Sequence, residues 1–599
     1  MGNFSYKDYP DVKKDSLINS RYLDFFGFCT LLVLLLSLVY SNRLYAEPEI
    51  EITGLTSEQE DNVRAYLSLT DESCNALQWK IKRLYTQAPL QIKKALRALG
   101  YYHPKITKTL DWEEGCWQSS LLIVPGPPMI IDAIDVQVLG PGAEELFFSE
   151  ILRNISIKVG DIVNHGEYDK LKRQLKNRAD AKGYFDKVFV LKRLSVNPDT
   201  NTARLQLHMQ TGSRYYISRI DVEKSALHTD FSSKYLTVKQ GQAYDRARIF
   251  ESHQLLDTSG YFRGVELKYE QSHALDYQAP LTVKLSNLPR HAMSAGVGYD
   301  TDLGFRLSAG YRNRYLNDSG QQFVSDLNLS LKKSNLLMEY IIPLSNPLKD
   351  RLSFFAGLSY ENTVNVNSGK LDVGLRLSNR FYGQFILAEQ LKFVAERFRN
   401  SNTEPFQTQL LLVPGISISN VRAMKKGNYL EGYKYMLEFN GAHRSVGSSV
   451  SFIQTKLHIK GAYPTFLGGR ILARIDLGAT AVDNFEDLPT SYRFYAGGDN
   501  SVRGYDYKSI GQRDAAGEVS GGQFLTTASL EYEQRIYGNW TLAAFVDAGD
   551  AFTRDLDIQI GVGLGVRWYS LVGPVRIDIA VPSEDFGDVH VHFSLSTAL

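Results

Sequence analysis

From His291 to the C-terminus the chain repeats with a period of two. Met293, Ala295, Val297 and Tyr299 alternate with Ser294, Gly296 and Gly298. Leu371, Val373, Leu375 and Leu377 alternate with Asp372, Gly374, Arg376 and Ser378. Ile558, Ile560, Val562, Leu564, Val566 and Trp568 alternate with Gln559, Gly561, Gly563, Gly565 and Arg567. Alternation of this kind predicts β-strands with one apolar face. The opposite face carries charge in strand after strand, which a dry sandwich core does not tolerate. A closed transmembrane barrel with a wet lumen does. At roughly 10 residues per strand plus turns, residues 291–599 predict about 16 antiparallel strands, and closure leaves no unpaired sheet edge in lipid.

The preceding stretch has a different rhythm. Helical spacing (Ile92, Ala95, Leu96, Leu99) ends at a glycine followed by two aromatics, and the junction occurs three times: Gly100-Tyr101-Tyr102, Gly183-Tyr184-Phe185 and Gly260-Tyr261-Phe262. Glycine is suited to the left-handed backbone that closes a helix. An interval of about 80 residues marks an array of small domains rather than a solenoid. Each unit reads strand, helix, helix, strand, strand, with boundaries at 47–126, 127–212 and 213–288. This α+β repeat resembles the POTRA (polypeptide-transport-associated) domain. Its open sheet edges are of the kind that accept an extended chain by strand addition.

Composition then places these parts. The segment Phe25–Tyr40 is the one long apolar run; Lys13, Lys14 and Arg21 precede it and Ala46 follows. That pattern predicts a secretory signal over residues 1–46. Its removal takes away Cys29 and leaves Cys74 and Cys116, which are expected to form a disulfide in an oxidising compartment. Mean hydropathy is −0.24, too low for a helical membrane bundle. Net charge is +1, which gives no footprint for nucleic acid.

The loop from Tyr495 to Tyr505 (YAGGDNSVRGY) is followed in order by Phe545, Asp547 and Gly549, then by Gly561, Gly563, Gly565 and Arg567. This ordered set is similar to the signature of the outer-membrane assembly and translocation superfamily. Three POTRA-like units place the resemblance in its TamA-type branch. The resemblance implies a loop folded back into the lumen, with Val502, Arg503, Gly504 and Tyr505 at its tip and Arg503 paired with Asp547 on the wall. It also implies an outer-membrane location with the repeats in the periplasm. The partners it implies are a TamB-like inner-membrane-anchored protein, unfolded outer-membrane protein clients such as autotransporters, and outer-membrane lipids. A two-partner secretion pore exporting one dedicated client is the alternative.

A barrel seam is expected between the first strand (Met293, Gly296, Gly298) and the last (Val591, Phe593, Leu595), where interior glycines weaken strand packing. No Walker A loop, zinc-protease motif or nucleophile elbow is present, so neither an enzyme nor a cofactor is expected. His590 and His592 share one inward face without a third ligand in the pattern; they are expected to line a wet lumen, with no metal. Asp300 and Asp302 are expected to serve a turn.

Overall fold

The computed structural model describes residues 47–595, apart from 114–115, 348, 383, 400–404, 427–428, 466–467, 515–516 and 571–572. The expected signal segment, Cys29 and the last four residues lie outside the described residues. The chain divides into two compact units. One holds the first two repeats; the other holds Ala181–Gly183 and everything from Arg214 on.

In the first repeat, β1 (Glu49–Thr53) is followed by α1 (Ser57–Tyr66), α2 (Gln78–Ala98), β2 (Lys105–Glu113) and β3 (Cys116–Val124). Helix α1 starts where Thr56 and Gln59 cap each other's backbone N–H groups, a reciprocal arrangement that satisfies two orphan donors. Helix α2 buries Ile81, Leu84, Ala88, Ile92, Ala95 and Leu96, a three-to-four spacing that forms one apolar stripe. The stripe packs on Trp117, Leu121 and Ile123 of the sheet. Gly100 then turns the chain at φ +90°.

The second repeat runs β4 (Ile130–Leu139), α3 (Leu146–Arg153), α4 (His165–Ala181), β5 (Val188–Asn197) and β6 (Thr202–Gln210). The third runs β7 (Tyr216–Val222), α5 (Thr229–Ser233), α6 (Arg246–Asp257), β8 (Phe262–Tyr269) and β9 (Gln278–Asn287). In all three sheets the last strand is central, parallel to the first and antiparallel to the second. The first and second strands are therefore the edges. Tyr261 at the third junction donates its hydroxyl to Gly320 O at 2.6 Å, and the His228 N–H reaches Asp318 O at 2.9 Å. The barrel turn bearing these carbonyls is thus seated on the third repeat.

Sixteen strands, β10 to β25, pair with their chain neighbours and close into an antiparallel barrel. The alternation has the expected phase: Leu371, Val373, Leu375 and Leu377 face outward. No described helix is long and apolar enough to cross a membrane; the crossing elements are strands. The lengths are uneven: β10 (His291–Asp300) and β11 (Gly304–Asn313) have 10 residues each, whereas a later strand, Gln407–Lys426, has 20.

Cys74 and Cys116 are joined by a disulfide across 42 residues, next to Trp117, whose indole N–H donates to Ser73 O. Replacing both cysteines with serine is expected to lower the stability of the first repeat by about 2–4 kcal/mol. The check is its urea midpoint, followed through Trp117 emission.

Candidate functional site: a loop locked inside the barrel

The chain between β20 (Arg470–Val482) and β21 (Phe524–Tyr537) is a long excursion with little regular structure. Ordering it costs conformational entropy residue by residue, so specific contacts must hold it. Near its start, buried Glu396 on the wall accepts bonds from Thr490 Oγ1 (2.8 Å), Ser491 N (3.1 Å) and Ser368 Oγ (2.8 Å). Arg493 donates to the carbonyls of Phe485, Glu486, Leu488 and Ser520. The two arms of the excursion meet in mutual backbone bonds, Phe494 with Gly522 and Ala496 with Ile510. Fully buried Val502 packs with Phe494, Ala496, Ile510 and Ala551.

Arg503 is 5% exposed. Its Nε and Nη2 grip both oxygens of Asp547 on β22 (Trp540–Phe552), at 2.7 and 3.0 Å. Nη1 reaches Glu531 on β21 at 2.7 Å and Asp578 on β24 (Gly573–Pro582) at 3.2 Å. The guanidinium lies 3.4 Å from the centre of the Phe545 ring, a cation–π contact. Arg567 on β23 (Gln559–Ser570) shares the same acids, bonding Glu531 at 2.8 Å as well as Asp578. Arg470 extends the network through Glu533 at 2.6 Å. Buried charge is tolerated here because each ion is paired and hydrogen-bonded more than once.

Gly561 explains how the loop gets close enough. Gly561 and Gly563 face inward, and a Cβ at Gly561 would lie 1.7 Å from Arg503 O. At Gly563 a Cβ would meet Ile579 O at 2.3 Å and the Phe545 ring at 2.4 Å, both on neighbouring strands. Gly549 likewise crowds against Thr526 O and the Thr527 side chain, so the constraint at these two glycines lies within the wall. At the tip, Gly504 has φ +92°, and the Tyr505 hydroxyl donates to Gln559 Oε1 at 3.1 Å.

The structure therefore brings Val502, Arg503, Gly504, Tyr505, Asp547, Phe545, Gly561, Gly563 and Arg567 into one constellation. Sequence reasoning missed Glu531, Asp578, Glu533 and Arg470. The available signal was charge on the inward phase of the strands flanking the motif: Glu531 and Glu533 share a face, as do Arg576 and Asp578.

Two readings need correction. His592, on β25 (His590–Leu595), does not line open water. It is 6% exposed; its Nε2 accepts the Gly504 N–H at 3.0 Å and its Nδ1 lies 2.5 Å from Asp499 Oδ1. Asp302 is more than a turn residue: it is buried and accepts the Asp499 N–H at 2.8 Å, while Asp300 holds the turn through Leu303 N. Burial first, then the Asp499 carboxylate, raises the Asp302 pKa to about 7. Together Asp302 and Asp499 bring two carboxylates to His592, a cluster that the strand pattern alone did not show.

At the seam, Asp300 pairs with Ser594 in register, and the Thr301 N–H donates to Phe593 O at 3.1 Å. Tyr299 and Phe593 rings lie 5.8 Å apart. Gly298 approaches Leu595 O. Met293 and Gly296 pair with Tyr311 and Ser308 of β11, and Val591 with Ile579 of β24; these three have no described partner across the seam.

A closed barrel that carries POTRA-type repeats and an arginine-locked lumenal loop belongs to a defined class of outer-membrane proteins. Residues 426–598 match the Omp85 superfamily domain, residues 49–125 match the first POTRA domain of TamA, and residues 135–212 match the POTRA model described as a surface antigen variable number repeat. The chain thus carries an Omp85 superfamily domain and a TamA-type first POTRA domain, which place the barrel in the outer membrane and the repeats in the periplasm. It is 24% identical over 415 residues to the outer membrane protein assembly factor BamA of Nitratidesulfovibrio vulgaris, covering 63% of this chain and 50% of that one. It is 19% identical to BamA of Neisseria meningitidis, covering 72% of this chain and 62% of that one. The chain thus spans about half to three-fifths of the length of these curated relatives. Among solved structures, BamA from Haemophilus ducreyi lacking POTRA domains 1–3 shares the fold at 16% identity with a TM-score of 0.65, covering 78% of this chain and 99% of that one.

Arg503→Ala is expected to cost about 3–5 kcal/mol in loop attachment, because it leaves buried Asp547 without its ion-pair partner and takes one of two arginines from Glu531 and Asp578; protease cutting between 483 and 523 in the folded barrel reads this. Swapping the charges, Arg503→Asp with Asp547→Arg, is not expected to rescue. The new aspartate would face Glu531 and Asp578, and loop protection should stay at the single-mutant level. Gly561→Ala is expected to release the loop while all charges remain, seen in the same proteolysis.

Proposed function

We propose that this chain is an outer-membrane assembly factor that helps other barrel proteins insert, with a seam between β10 and β25 as its working edge. The observation that carries this reading is the make-up of the seam: β10 has glycines at 296 and 298 in its interior, and it meets β25 through Asp300 with Ser594 and Thr301 with Phe593. An edge whose packing is weakened by interior glycines can exchange its backbone bonds for those of an incoming client strand. No covalent bond is made or broken in such a step. The short first hairpin supports a second contribution, local thinning of the bilayer that lowers the insertion barrier.

The TamA-type first repeat supports a TamB-like inner-membrane-anchored partner docking on the POTRA region. Autotransporters and other outer-membrane proteins are the clients this reading assigns, and passage of lipid along the partner belongs to the same assignment.

Cysteines placed at the register pair, Asp300→Cys with Ser594→Cys, test the gate. Oxidation is expected to reduce insertion of a client barrel by tenfold or more, and reductant to restore it. Full insertion with the crosslink formed rejects the seam as the working edge.

A further inference from the structure

Three elements far apart in sequence converge beside the seam: the turn after β10, the lumenal loop, and β25. Their contributions are Asp302, Asp499 and His592, whose donor atoms lie within 4.8 Å of one another. Two observations point beyond a hydrogen-bonded cluster. The Asp499 side chain is 8% exposed, yet its Oδ2 has no hydrogen-bond partner among the described residues. A buried acceptor left in that state is costly. In addition, no ion pair to a lysine or arginine is recorded for either carboxylate among the described residues; the ionic contact of Asp499 is to His592. A polar cavity of about 390 Å³, lined in part by Thr301, Asp302, Asp506, His590 and His592, gives access.

We propose that Asp302, Asp499 and His592 form a binding site for a divalent transition-metal cation of the zinc type, and that filling it releases the tip of the lumenal loop. One imidazole nitrogen with two carboxylates suits zinc-like ions; magnesium and calcium favour all-oxygen sets. The coupling follows from proton bookkeeping on one ring. Without metal, Nε2 accepts the Gly504 N–H, so the ring proton sits on Nδ1 and is donated to Asp499. A metal taking Nδ1 displaces that proton, and a neutral ring then carries its proton on Nε2, facing the Gly504 N–H donor to donor. Metal loading and the Gly504 bond therefore exclude each other. The site extends the seam reading but does not require it, since binding is measured without any client.

The test uses the full-length barrel in detergent, titrated with Co²⁺ and followed by its visible absorption, with Zn²⁺ as competitor. Wild type is expected to bind one equivalent. Asp499→Asn and His592→Gln should each weaken binding tenfold or more, while His590→Ala leaves it unchanged. Amide exchange in a peptide spanning 502–505 should speed up about tenfold on saturation. The proposal is overturned by the absence of saturable binding in wild type, by binding that survives both substitutions, by loss of binding in His590→Ala, or by unchanged exchange at saturation. The wild-type titration and exchange need no variant, so a misfolded mutant cannot decide the outcome.

Discussion

Burial of the Arg503 guanidinium is the constraint on which the rest of the barrel interior depends. A guanidinium removed from water must find several acceptors or forfeit its solvation. Here the acceptors come from three strands: Glu531 on β21, Asp547 on β22 and Asp578 on β24. The wall must therefore hold three acids at fixed positions, and Arg567 on β23 supplies a second cation to two of them, Glu531 and Asp578. Arg470 on β20 does the same for the neighbouring Glu533. Gly561 follows from the same requirement, because the loop backbone at Arg503 must approach the wall closely enough for the side chain to reach.

The lock also links the loop to the ends of the barrel. Next to Arg503, Gly504 is bonded to His592 on the last strand, while Asp499 contacts both His592 and the turn after the first strand. Position along the chain thus says little about mechanical coupling. One short segment of loop touches both sides of the seam as well as the wall beside its own root. Any displacement of β25 is felt at Gly504, and any shift of Gly504 strains the Arg503 contacts one residue away.

The strand pattern made the barrel legible because an alternating face is imposed by lipid on one side and water on the other, at every strand. The three repeats were legible for a similar reason: the closing glycines at 100, 183 and 260 all have positive φ, a need that marks the sequence. The Arg503–Asp547 contact was approachable because both residues fall in an ordered motif. Glu531, Asp578 and Glu533 were not singled out, because a charge on an inward phase reads the same whether it meets water or an arginine. His592 was misread for a related reason. Its surroundings are set by Asp302 and Asp499, some 290 and 93 residues away in the chain, and only closure of the barrel brings them together.

A lock built from charges behaves differently from one built from apolar contact. Apolar burial is lost in proportion to the area exposed, so a greasy loop could peel away gradually. A paired network is closer to all-or-none: withdrawing the arginine leaves buried Asp547 without its ion-pair partner and strips one of two arginines from Glu531 and Asp578, which resists partial release. Withdrawal would also separate Val502 from Ala551 on the wall, so apolar and charged contacts oppose release together. That combination favours a fully attached loop over a series of partly released ones. The charged network thus holds the lumenal loop in one arrangement against the polar face of the wall.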